Sequence, residues 1–225
     1  MAPPVNPSKS KTGSGIPAAV IKRLPVYQRF LTDLKEKEIT RISSNELAVR
    51  VGITASQLRQ DLSWFGSFGQ QGYGYRVDDL LREVNRILGL DRSHRMILAG
   101  AGSLGRAILN YANFKRRGFT VTAIFDKNPR IIGENINGIT VRDITEMAYF
   151  LRASPVEIGV ITTPAAAAQD IANRMVAEGV KGIWNFAPFS LVVPPEVVME
   201  HVHLGESLLV LSLKLNQKKK KIRRR

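Results

Sequence analysis

Three closely spaced glycines and one acidic residue carry the clearest chemical signal in the sequence. Gly100, Gly102 and Gly105 follow the apolar run Met96–Ala99, and Asp126 ends the next apolar run. This pattern predicts a strand, a tight turn and a helix that hold the pyrophosphate of a dinucleotide, because the turn brings backbone N–H groups to the phosphates. Asp126 is expected to bind the ribose hydroxyls of the adenosine half, which favours NAD over NADP.

Two further turns follow apolar runs that we expect to be neighbouring strands. Thr162–Pro164 follows the run 158–161, and Asn185–Pro188 follows the run 182–184. Both turns are expected to line the nicotinamide end, although ordinary strand-to-helix capping is an alternative for each. Lys127 is a basic residue next to Asp126, and it makes the expected preference for NAD over NADP less sharp. The expected nucleotide site comprises Gly100, Ala101, Gly102, Ser103, Leu104, Gly105, Asp126, Lys127, Thr162, Thr163, Pro164, Asn185, Phe186, Ala187 and Pro188.

The first ninety residues show the pattern of a DNA reader. Apolar residues recur at helical spacing from 17 to 38, which predicts a long helix bent or restarted at Pro25. Ser43–Glu46 predicts the cap of a short helix that Gly52 ends, and a third helix is predicted from about residue 54 to 65. Two helices joined by such a short turn are typical of a helix-turn-helix, in which the last helix enters the major groove.

A glycine-punctuated aromatic stretch follows, from Gly66 to Tyr75, and predicts a hairpin of the kind called a wing. On the third helix, Arg59 can pair with guanine, and glutamine can pair with adenine. A helical hairpin used for protein contacts is the alternative. The side chains expected to contact DNA are Thr54, Ser56, Gln57, Arg59, Gln60, Gln70, Gln71 and Tyr73.

Composition limits the remaining function classes. The formal net charge is +14, of which +5 falls in residues 1–90, +2 in residues 91–217 and +7 in the last eight residues. The chain contains no cysteine, so thiol redox switching and disulfides are excluded. No apolar stretch approaches the roughly 20 residues of a spanning helix, and we expect a cytoplasmic protein that uses neither membrane nor metal. The chain has three histidines, His94, His201 and His203, which show neither the spacing of a metal site nor an evident carboxylate partner. The sequence thus offers no clear catalytic acid or base, and we expect that the protein is not an enzyme.

The elements that must position these residues form an α/β architecture. Apolar runs alternate with helical segments from residue 95 onward, which predicts a Rossmann-like parallel sheet. We expect a flexible lead-in (1–15), a winged-helix DNA-binding domain (16–90) and the nucleotide-binding domain (91–203). His94 is expected in the linker between the two domains. At the C-terminal end we expect a helix (204–217) followed by a solvated basic tail (218–225). This tail can add affinity for a polyanion or increase solubility.

The predicted helix 204–217 is apolar around much of its circumference. Leu208, Leu209, Leu211, Leu213 and Leu215 lie in this segment. Such a helix needs partners on more than one side, and we expect packing between subunits, with burial inside one chain as the alternative.

The chain resembles the Rex family of bacterial redox-sensing transcriptional repressors over roughly residues 16–215. The resemblance lies in the motifs Ser56–Gly66, Gly72–Tyr75, Ile87–Leu90, Gly100–Gly105 and Asn185–Pro188. It implies a homodimer whose C-terminal helix is exchanged between subunits. It also implies that the protein binds double-stranded operator DNA when NADH is low and that NADH releases the DNA, whereas NAD competes for the site and permits binding.

The sequence departs from the family pattern in three places. Gln60 stands where a basic residue is usual, and Lys127-Asn128 stands where an acid is more common. His203 stands where the family usually has an aspartate, which the resemblance implies exchanges partners between Arg29 and Tyr111. A neutral His203 cannot form a salt bridge with Arg29, and a protonated one repels it. These departures suggest a divergent paralogue with a weakened or altered NADH response.

Two other functions stay open at this point. An NAD-dependent oxidoreductase would show substrate-dependent changes in NADH absorbance. A CoA-binding regulator would bind CoA tightly and NADH not at all.

Overall fold

The computed structural model describes residues 16–66, 73–111 and 113–222. The chain forms two compact units that divide between Arg92 and Ser93. The predicted lead-in, Gln70 and Gln71 of the predicted wing, and residues 223–225 of the basic tail lie outside the described residues.

The first unit is mainly helical. Its helices are α1 (Ala18–Glu36), α2 (Ser44–Val51), α3 (Ala55–Ser63) and α4 (Val77–Ile87). A short strand β1 (Arg41–Ile42) pairs antiparallel with β2 (Tyr75–Arg76), which begins at the last residue of the predicted wing. The apolar faces of the four helices form one core, which contains Tyr27, Leu31, Leu47, Leu58 and Leu80.

Helix α1 runs through Pro25 without interruption: the predicted long helix is present, and of the two alternatives at this residue, a bend or a restart, the restart is wrong. Proline removes one backbone hydrogen bond from a helix interior. Pro25 itself is exposed, whereas Leu24, Tyr27 and Leu31 are buried in one continuous core. Packing on that face therefore maintains the helix on both sides of the proline.

Helices α2 and α3 begin at the predicted caps. The Ser43 hydroxyl accepts a hydrogen bond from the Glu46 backbone N–H at 3.1 Å, and the Glu46 carboxylate accepts one from the Ser43 N–H at 2.8 Å. Gly52 ends α2 with φ +79°, a left-handed conformation that glycine adopts without strain. Thr54 caps α3 through the Gln57 backbone N–H. These contacts fix the turn between the two helices.

The second unit is built on a seven-stranded sheet with the order β5-β6-β4-β3-β7-β8-β9. Its strands are β3 (His94–Ala99), β4 (Phe119–Asp126), β5 (Asn135–Ile136), β6 (Ile139–Asp143), β7 (Ile158–Ile161), β8 (Gly182–Asn185) and β9 (Val198–His201). Its helices are α5 (Ser103–Leu109), α6 (Asn113–Arg116), α7 (Met147–Ala153), α8 (Ala165–Ala177) and α9 (Glu206–Ile222). Only β5 pairs antiparallel, and the six parallel strands follow the Rossmann order.

Alternating residues of the central strands face two cores. Ile97 and Phe125 pack with Met147 and Met175 of α7 and α8. Leu98 and Ile124 belong to the opposite core, which also holds Ile108 of α5. The two covered faces explain why these strands read as continuous apolar runs in the sequence.

Three strands of the second unit were not predicted from the sequence. β5 and β6 form a hairpin around Asn137-Gly138, where both residues have positive φ. An Asn-Gly pair between apolar residues is a recognised hairpin signal, so this element could have been predicted. β9 lies at the sheet edge and has two exposed positions, which weakens its apolar pattern.

His94 opens strand β3 and does not lie in a linker, contrary to expectation. Its side chain is mostly buried, its ring stacks on Phe119 at 5.1 Å, and its Nδ1 lies 2.6 Å from a Glu157 oxygen. The expectation that no histidine has a carboxylate partner is therefore also wrong. The partner comes from a distant part of the chain, which spacing along the sequence does not reveal.

Helix α9 extends to Ile222, five residues into the predicted basic tail. Apolar side chains on α9 and just before it are exposed in the single chain, between 51% and 72%: Leu204, Leu208, Leu209, Val210, Leu211, Leu213 and Leu215. The helix thus carries an apolar surface that the other described residues do not cover.

We expect Ser43→Ala to lower the free energy of unfolding of the first unit by about 1 kcal/mol, because the Glu46 backbone N–H loses its capping partner, the Ser43 hydroxyl. Urea unfolding followed by circular dichroism measures this change. Thr40→Ala is the matched control, since Thr40 is exposed and its side chain makes no hydrogen bond to the described residues. Equal losses in both variants would contradict the capping role.

Candidate functional site

The glycine turn after β3 requires glycine at its first and third positions. Gly100 has φ +101°, and a Cβ there would lie 2.9 Å from the Thr162 backbone. A Cβ at Gly105 would lie 2.0 Å from the Gly100 carbonyl oxygen, so α5 packs directly on the turn. A Cβ at Gly102 would meet nothing within 4 Å. The backbone at Gly102 is consequently open to an approaching group, whereas Gly100 and Gly105 hold the turn in shape.

Asp126 at the end of β4 stabilises the same turn. One carboxylate oxygen accepts a hydrogen bond from the Ala101 N–H at 2.6 Å, and the other accepts one from the Asn128 N–H at 2.9 Å. From the sequence, this carboxylate is expected to bind the ribose hydroxyls. In the structure it also stabilises the turn through these two hydrogen bonds. Each carboxylate oxygen has a second lone-pair direction, so Asp126 retains capacity for ligand hydroxyls.

Thr162 and Thr163 follow β7 and have different surroundings. The Thr162 hydroxyl donates to the Gly100 carbonyl at 2.6 Å, which ties β7 to the glycine turn. The Thr163 hydroxyl is buried and has no hydrogen-bond partner among the described residues. A buried hydroxyl without a partner is costly, which indicates a group that a ligand can satisfy.

A cavity of about 340 Å³ brings these residues together at the carboxyl ends of the strands. Its lining includes Gly100, Gly102, Asp126, Lys127 and Thr162–Pro164, together with Ile144 and the face of α8 that carries Ala167, Asp170, Ile171 and Arg174. This is the edge at which open parallel sheets bind ligands. The space above Gly102 and the unpaired Thr163 hydroxyl fit a dinucleotide.

Ser103 and Leu104 open α5 beside this turn, and Leu104 packs against the core on the α5 face. The Asn185–Pro188 turn does not line the described cavity. The Asn185 amide is buried, donates to the Phe189 carbonyl at 2.9 Å and accepts from the Ala187 N–H at 3.0 Å. It closes its own loop, while Phe186 and Ala187 pack into the two cores and Pro188 is exposed.

Helix α3, the predicted recognition helix, presents three of its predicted contact residues to solvent. Ser56, Arg59 and Gln60 are exposed, as are Thr54 and Tyr73, although the Thr54 hydroxyl is used as a cap. Gln57 differs from them because its side-chain amide donates to Asp61 at 2.8 Å. This contact turns part of Gln57 toward the interior.

Asp61 organises a buried polar cluster that the sequence analysis missed. It is fully buried, forms a two-pronged ion pair with Arg23 at 2.5 and 2.9 Å, and accepts a short hydrogen bond from the Tyr27 hydroxyl. Burial raises the pKa of Asp61, but the hydrogen bonds from Arg23, Tyr27 and Gln57 outweigh burial and leave this pKa below its usual value. Arg23 and Tyr27 are four residues apart, as are Gln57 and Asp61, so each pair lies on one face of its helix. This spacing is the feature of the sequence from which the cluster could have been predicted.

The three predicted switch residues occupy different environments. Arg29 is exposed on α1. Tyr111 is half exposed, and its ring packs on Phe114 at 4.9 Å. His203 follows β9 and stacks nearly parallel on His201 at 5.8 Å. The structure places Arg29 in the first unit and the other two in the second.

Neither a metal site nor a membrane span is found in the part of the chain that the structure describes. No group of three or more metal-ligating side chains occurs there. No helix there combines the length and hydropathy needed to cross a membrane.

Comparison with known proteins agrees with the two-unit description. A model of the CoA binding domain matches residues 91–189, and a model described as a putative DNA-binding protein N-terminus matches residues 15–63. The redox-sensing transcriptional repressor Rex of Clostridium botulinum is 51% identical over 204 residues, which cover 91% of this chain and 97% of that protein. The chain belongs to the Rex family. Rex of Clostridium acetobutylicum is 50% identical and covers 90% of this chain and 94% of its own length.

Solved Rex structures share the whole fold. RSP, a Rex-family repressor, in complex with β-NADH has a TM-score of 0.87 and 41% identity, and the match covers 95% of this chain and all of that one. RSP in complex with β-NAD+ and operator DNA has a TM-score of 0.86 and 45% identity, covering 94% and 98%. The expected fold class, a DNA-binding unit followed by a Rossmann-like sheet, is confirmed for this Rex chain.

We expect Gly105→Ala to destabilise the second unit of this Rex by about 3 kcal/mol, because its Cβ would displace the Gly100 carbonyl. Gly102→Ala is the matched control and should change stability by less than about 1 kcal/mol, since its Cβ enters open space at φ −70°. Thermal unfolding of both variants tests the difference. Equal destabilisation would contradict the close helix packing.

The Asp61 cluster predicts a pH dependence of stability. Because the pKa of Asp61 is lowered in the folded chain, its stabilising effect is complete above the unfolded value of about 4 and is lost as pH falls through the folded value. Urea unfolding below pH 5, followed by Trp64 fluorescence in a Trp184→Phe background, measures the loss. Asp61→Asn should reduce this dependence, whereas Asp33→Asn, on an exposed carboxylate, should keep it. Identical pH profiles for both variants would exclude Asp61 as the cause.

Proposed function

We propose that this chain is a redox-sensing transcriptional repressor that binds operator DNA and releases it when NADH occupies the cavity beside the glycine turn. The proposal rests on the identity of about half of all residues with Rex over nine-tenths of the chain. The relatives of known structure bind β-NADH in one complex and β-NAD+ with operator DNA in another. We propose that the protein acts in the cytoplasm.

In the proposed nucleotide site, the open backbone at Gly102 receives the pyrophosphate. Asp126 uses its free lone pairs for the adenosine ribose, and the Thr163 hydroxyl finds its missing partner on the ligand. Lys127 adds a positive charge at the cavity rim. The bound dinucleotide can transfer a hydride in enzymes, but here the chain's residues only bind and orient it.

CoA is a second candidate ligand, because the CoA binding domain model matches residues 91–189. Its pyrophosphate would use the same open position at Gly102. Calorimetric titration with CoA, NADH and NAD shows whether the site binds CoA or the nicotinamide dinucleotide. Tight CoA binding without NADH binding would reject redox sensing.

For DNA, the proposed reading surface is the exposed face of α3. Arg59 can make a bidentate contact to guanine in the major groove, and Ser56 and Gln60 flank it. The glutamine at position 60 supplies hydrogen bonds but no charge, so its contribution should depend less on salt than that of a basic residue.

The apolar surface of α9 supports a homodimer in which a second copy covers this helix. We expect the double variant Leu209→Glu/Leu213→Glu to be monomeric in sedimentation velocity at micromolar concentration, because two charges on one helix face cannot be buried in the interface. Gln217→Glu, also exposed on α9, is the control and should stay dimeric. A dimeric double variant, or a monomeric unmodified chain, would refute this role of α9.

We propose that the dimer has two arrangements, one that binds DNA and one that does not. NADH can release DNA only if it binds the second arrangement more tightly than the first. A tenfold preference for the arrangement that does not bind DNA shifts the equilibrium by about 1.4 kcal/mol. His203 in place of the usual acid bears on this preference, since it alters the charge at the proposed switch with Arg29 and Tyr111. The NADH response is therefore the property to measure first.

Fluorescence anisotropy of a palindromic Rex-type operator, titrated with the full chain at fixed salt, tests the proposal. Nanomolar binding that NADH reverses and NAD permits would support it. Binding that is indifferent to NADH would reject redox sensing and leave a DNA reader. No specific binding would reject the repressor function.

The two sites should separate under mutation. Gly102→Val places a branched side chain where the pyrophosphate approaches and should abolish nucleotide binding while leaving DNA binding intact. Arg59→Ala should weaken operator binding by roughly tenfold to a hundredfold, without effect on nucleotide binding. Anisotropy and calorimetry on each variant give both readouts. If either variant loses both functions equally, the division between the two units is wrong.

A further inference from the structure

The glycine turn after β3 leaves one backbone group without a partner. Residues 100–102 carry six backbone polar groups, and five of them have a hydrogen-bond partner within the chain. The partners are Phe125, Thr162, Asp126 and, for two of the groups, Arg106. The sixth group is the Gly102 N–H, which has no acceptor among the described residues and belongs to a residue that lines the cavity. What a ligand meets at this turn therefore depends on the direction of one N–H.

The side chain of Arg106 holds the peptide to which this N–H belongs. Side chains on a helix lean toward its N-terminus, and Arg106 on α5 reaches back to the turn. Its Nε donates to the Ala101 carbonyl at 3.0 Å. Its Nη2 forms an ion pair with Glu134, the residue before β5. One planar guanidinium thus connects the carbonyl of the buried residue Ala101 to a carboxylate from a distant part of the chain.

The peptide between Ala101 and Gly102 transmits this contact to the N–H. A trans peptide is planar, so its C=O and its N–H point in opposite directions. While Arg106 holds the Ala101 carbonyl, the Gly102 N–H faces away from the guanidinium. A flip of the peptide would bring Gly102 to positive φ, which glycine adopts without strain. Glycine at this position therefore permits a flip that the Arg106 contact opposes.

We infer that Arg106 is a positioning residue for the nucleotide: it keeps the Gly102 N–H turned toward the cavity, where a pyrophosphate oxygen accepts its hydrogen bond. The inference rests on the proposed nucleotide binding at this turn. A flipped peptide would present a carbonyl oxygen to the phosphate, and both groups are acceptors. Arg106 itself is paired with Glu134 and does not belong to the cavity lining, so it acts from behind the turn and not on the ligand.

Two substitutions that resemble each other in size separate the hydrogen bond of Arg106 from its charge. Arg106→Gln places an amide nitrogen at the chain position of Nε, so it can still donate to the Ala101 carbonyl without a charge. Arg106→Met places a methyl group there and donates nothing. We expect calorimetry to show NADH affinity reduced by about threefold to tenfold in Arg106→Met, in line with one lost hydrogen bond, and by less than about twofold in Arg106→Gln. Equal affinities of the two variants would overturn the inference.

Shorter ligands show which part of the nucleotide the effect concerns. ADP contains the pyrophosphate, and adenosine does not. In Arg106→Met, the affinity for ADP should fall by the same factor as that for NADH. The affinity for adenosine, followed by ligand-detected NMR, should change by less than about twofold. An equal loss for adenosine would show general damage to the cavity and would overturn the positioning role.

Arg152 provides a matched control in the same unit. Its Nε donates to the Ala148 carbonyl at 3.3 Å, and its guanidinium pairs with Glu178. Arg152→Met thus removes the same kinds of contact at residues that belong neither to the turn nor to the cavity lining. It should leave NADH affinity unchanged. A loss equal to that of Arg106→Met would overturn the inference.

Glu134→Ala separates positioning from direct contact with the phosphate, and it decides between them even if Arg106→Met does not fold. The substitution removes a partly exposed carboxylate and frees the charge of Arg106. We expect NADH affinity to fall by up to about threefold, because Arg106 loses its anchor. A rise in affinity that salt suppresses would show that the guanidinium contacts the phosphate, and would overturn the inference.

The unmodified chain distinguishes a failure of this inference from a failure of the proposed function. If it binds neither NADH nor ADP, the proposed nucleotide site is rejected and the inference with it. If it binds both and the Arg106 variants behave alike, the inference alone is rejected.

Discussion

The sensor unit depends on the close approach of α5 to the end of β3. Gly105 lies so near the Gly100 carbonyl that a single methyl group would separate the helix from the turn. The hydroxyl of Thr162 donates to that same carbonyl from β7. This contact sets the spacing of two neighbouring strands at the edge where ligands enter. The open position at Gly102, the carboxylate of Asp126 and the buried hydroxyl of Thr163 have their present geometry because the turn is held this tightly.

In the DNA-binding unit, polar contacts of one buried residue hold two helices together, as the contact between α5 and the glycine turn does in the sensor unit. Asp61 joins α1 to α3 through Arg23 and Tyr27, and it does so inside an otherwise apolar core. A buried ion pair is weak support for stability, because removing charges from water costs about as much as pairing them returns. Hydrogen bonds are directional, so the contacts of Asp61 with Arg23 and Tyr27 restrict how α3 can rotate against α1. Both units therefore place functional atoms by a few short directional contacts.

The sequence predicted those features whose cause is local. The capping residues Ser43 and Thr54, the left-handed Gly52 and the glycine turn all follow from short-range rules, and their elements are present. The alternation of apolar runs and helices predicted the parallel sheet, although β5, β6 and β9 were not recognised in it. The sequence did not reveal the pairing of Asp61 with Arg23 and Tyr27, or of His94 with Glu157, because tertiary packing brings these residues together. A restart of α1 at Pro25 does not occur, because burial of the neighbouring residues outweighs the local cost of a proline inside the helix.

The two units of the described chain have separate hydrophobic cores, with no residue in common. A substitution on α3 that changes the recognised bases therefore does not disturb the packing around the nucleotide cavity. The reverse holds for residues that line the cavity. In evolutionary terms, operator preference and ligand preference can drift as independent characters, so relatives that share one of them need not share the other.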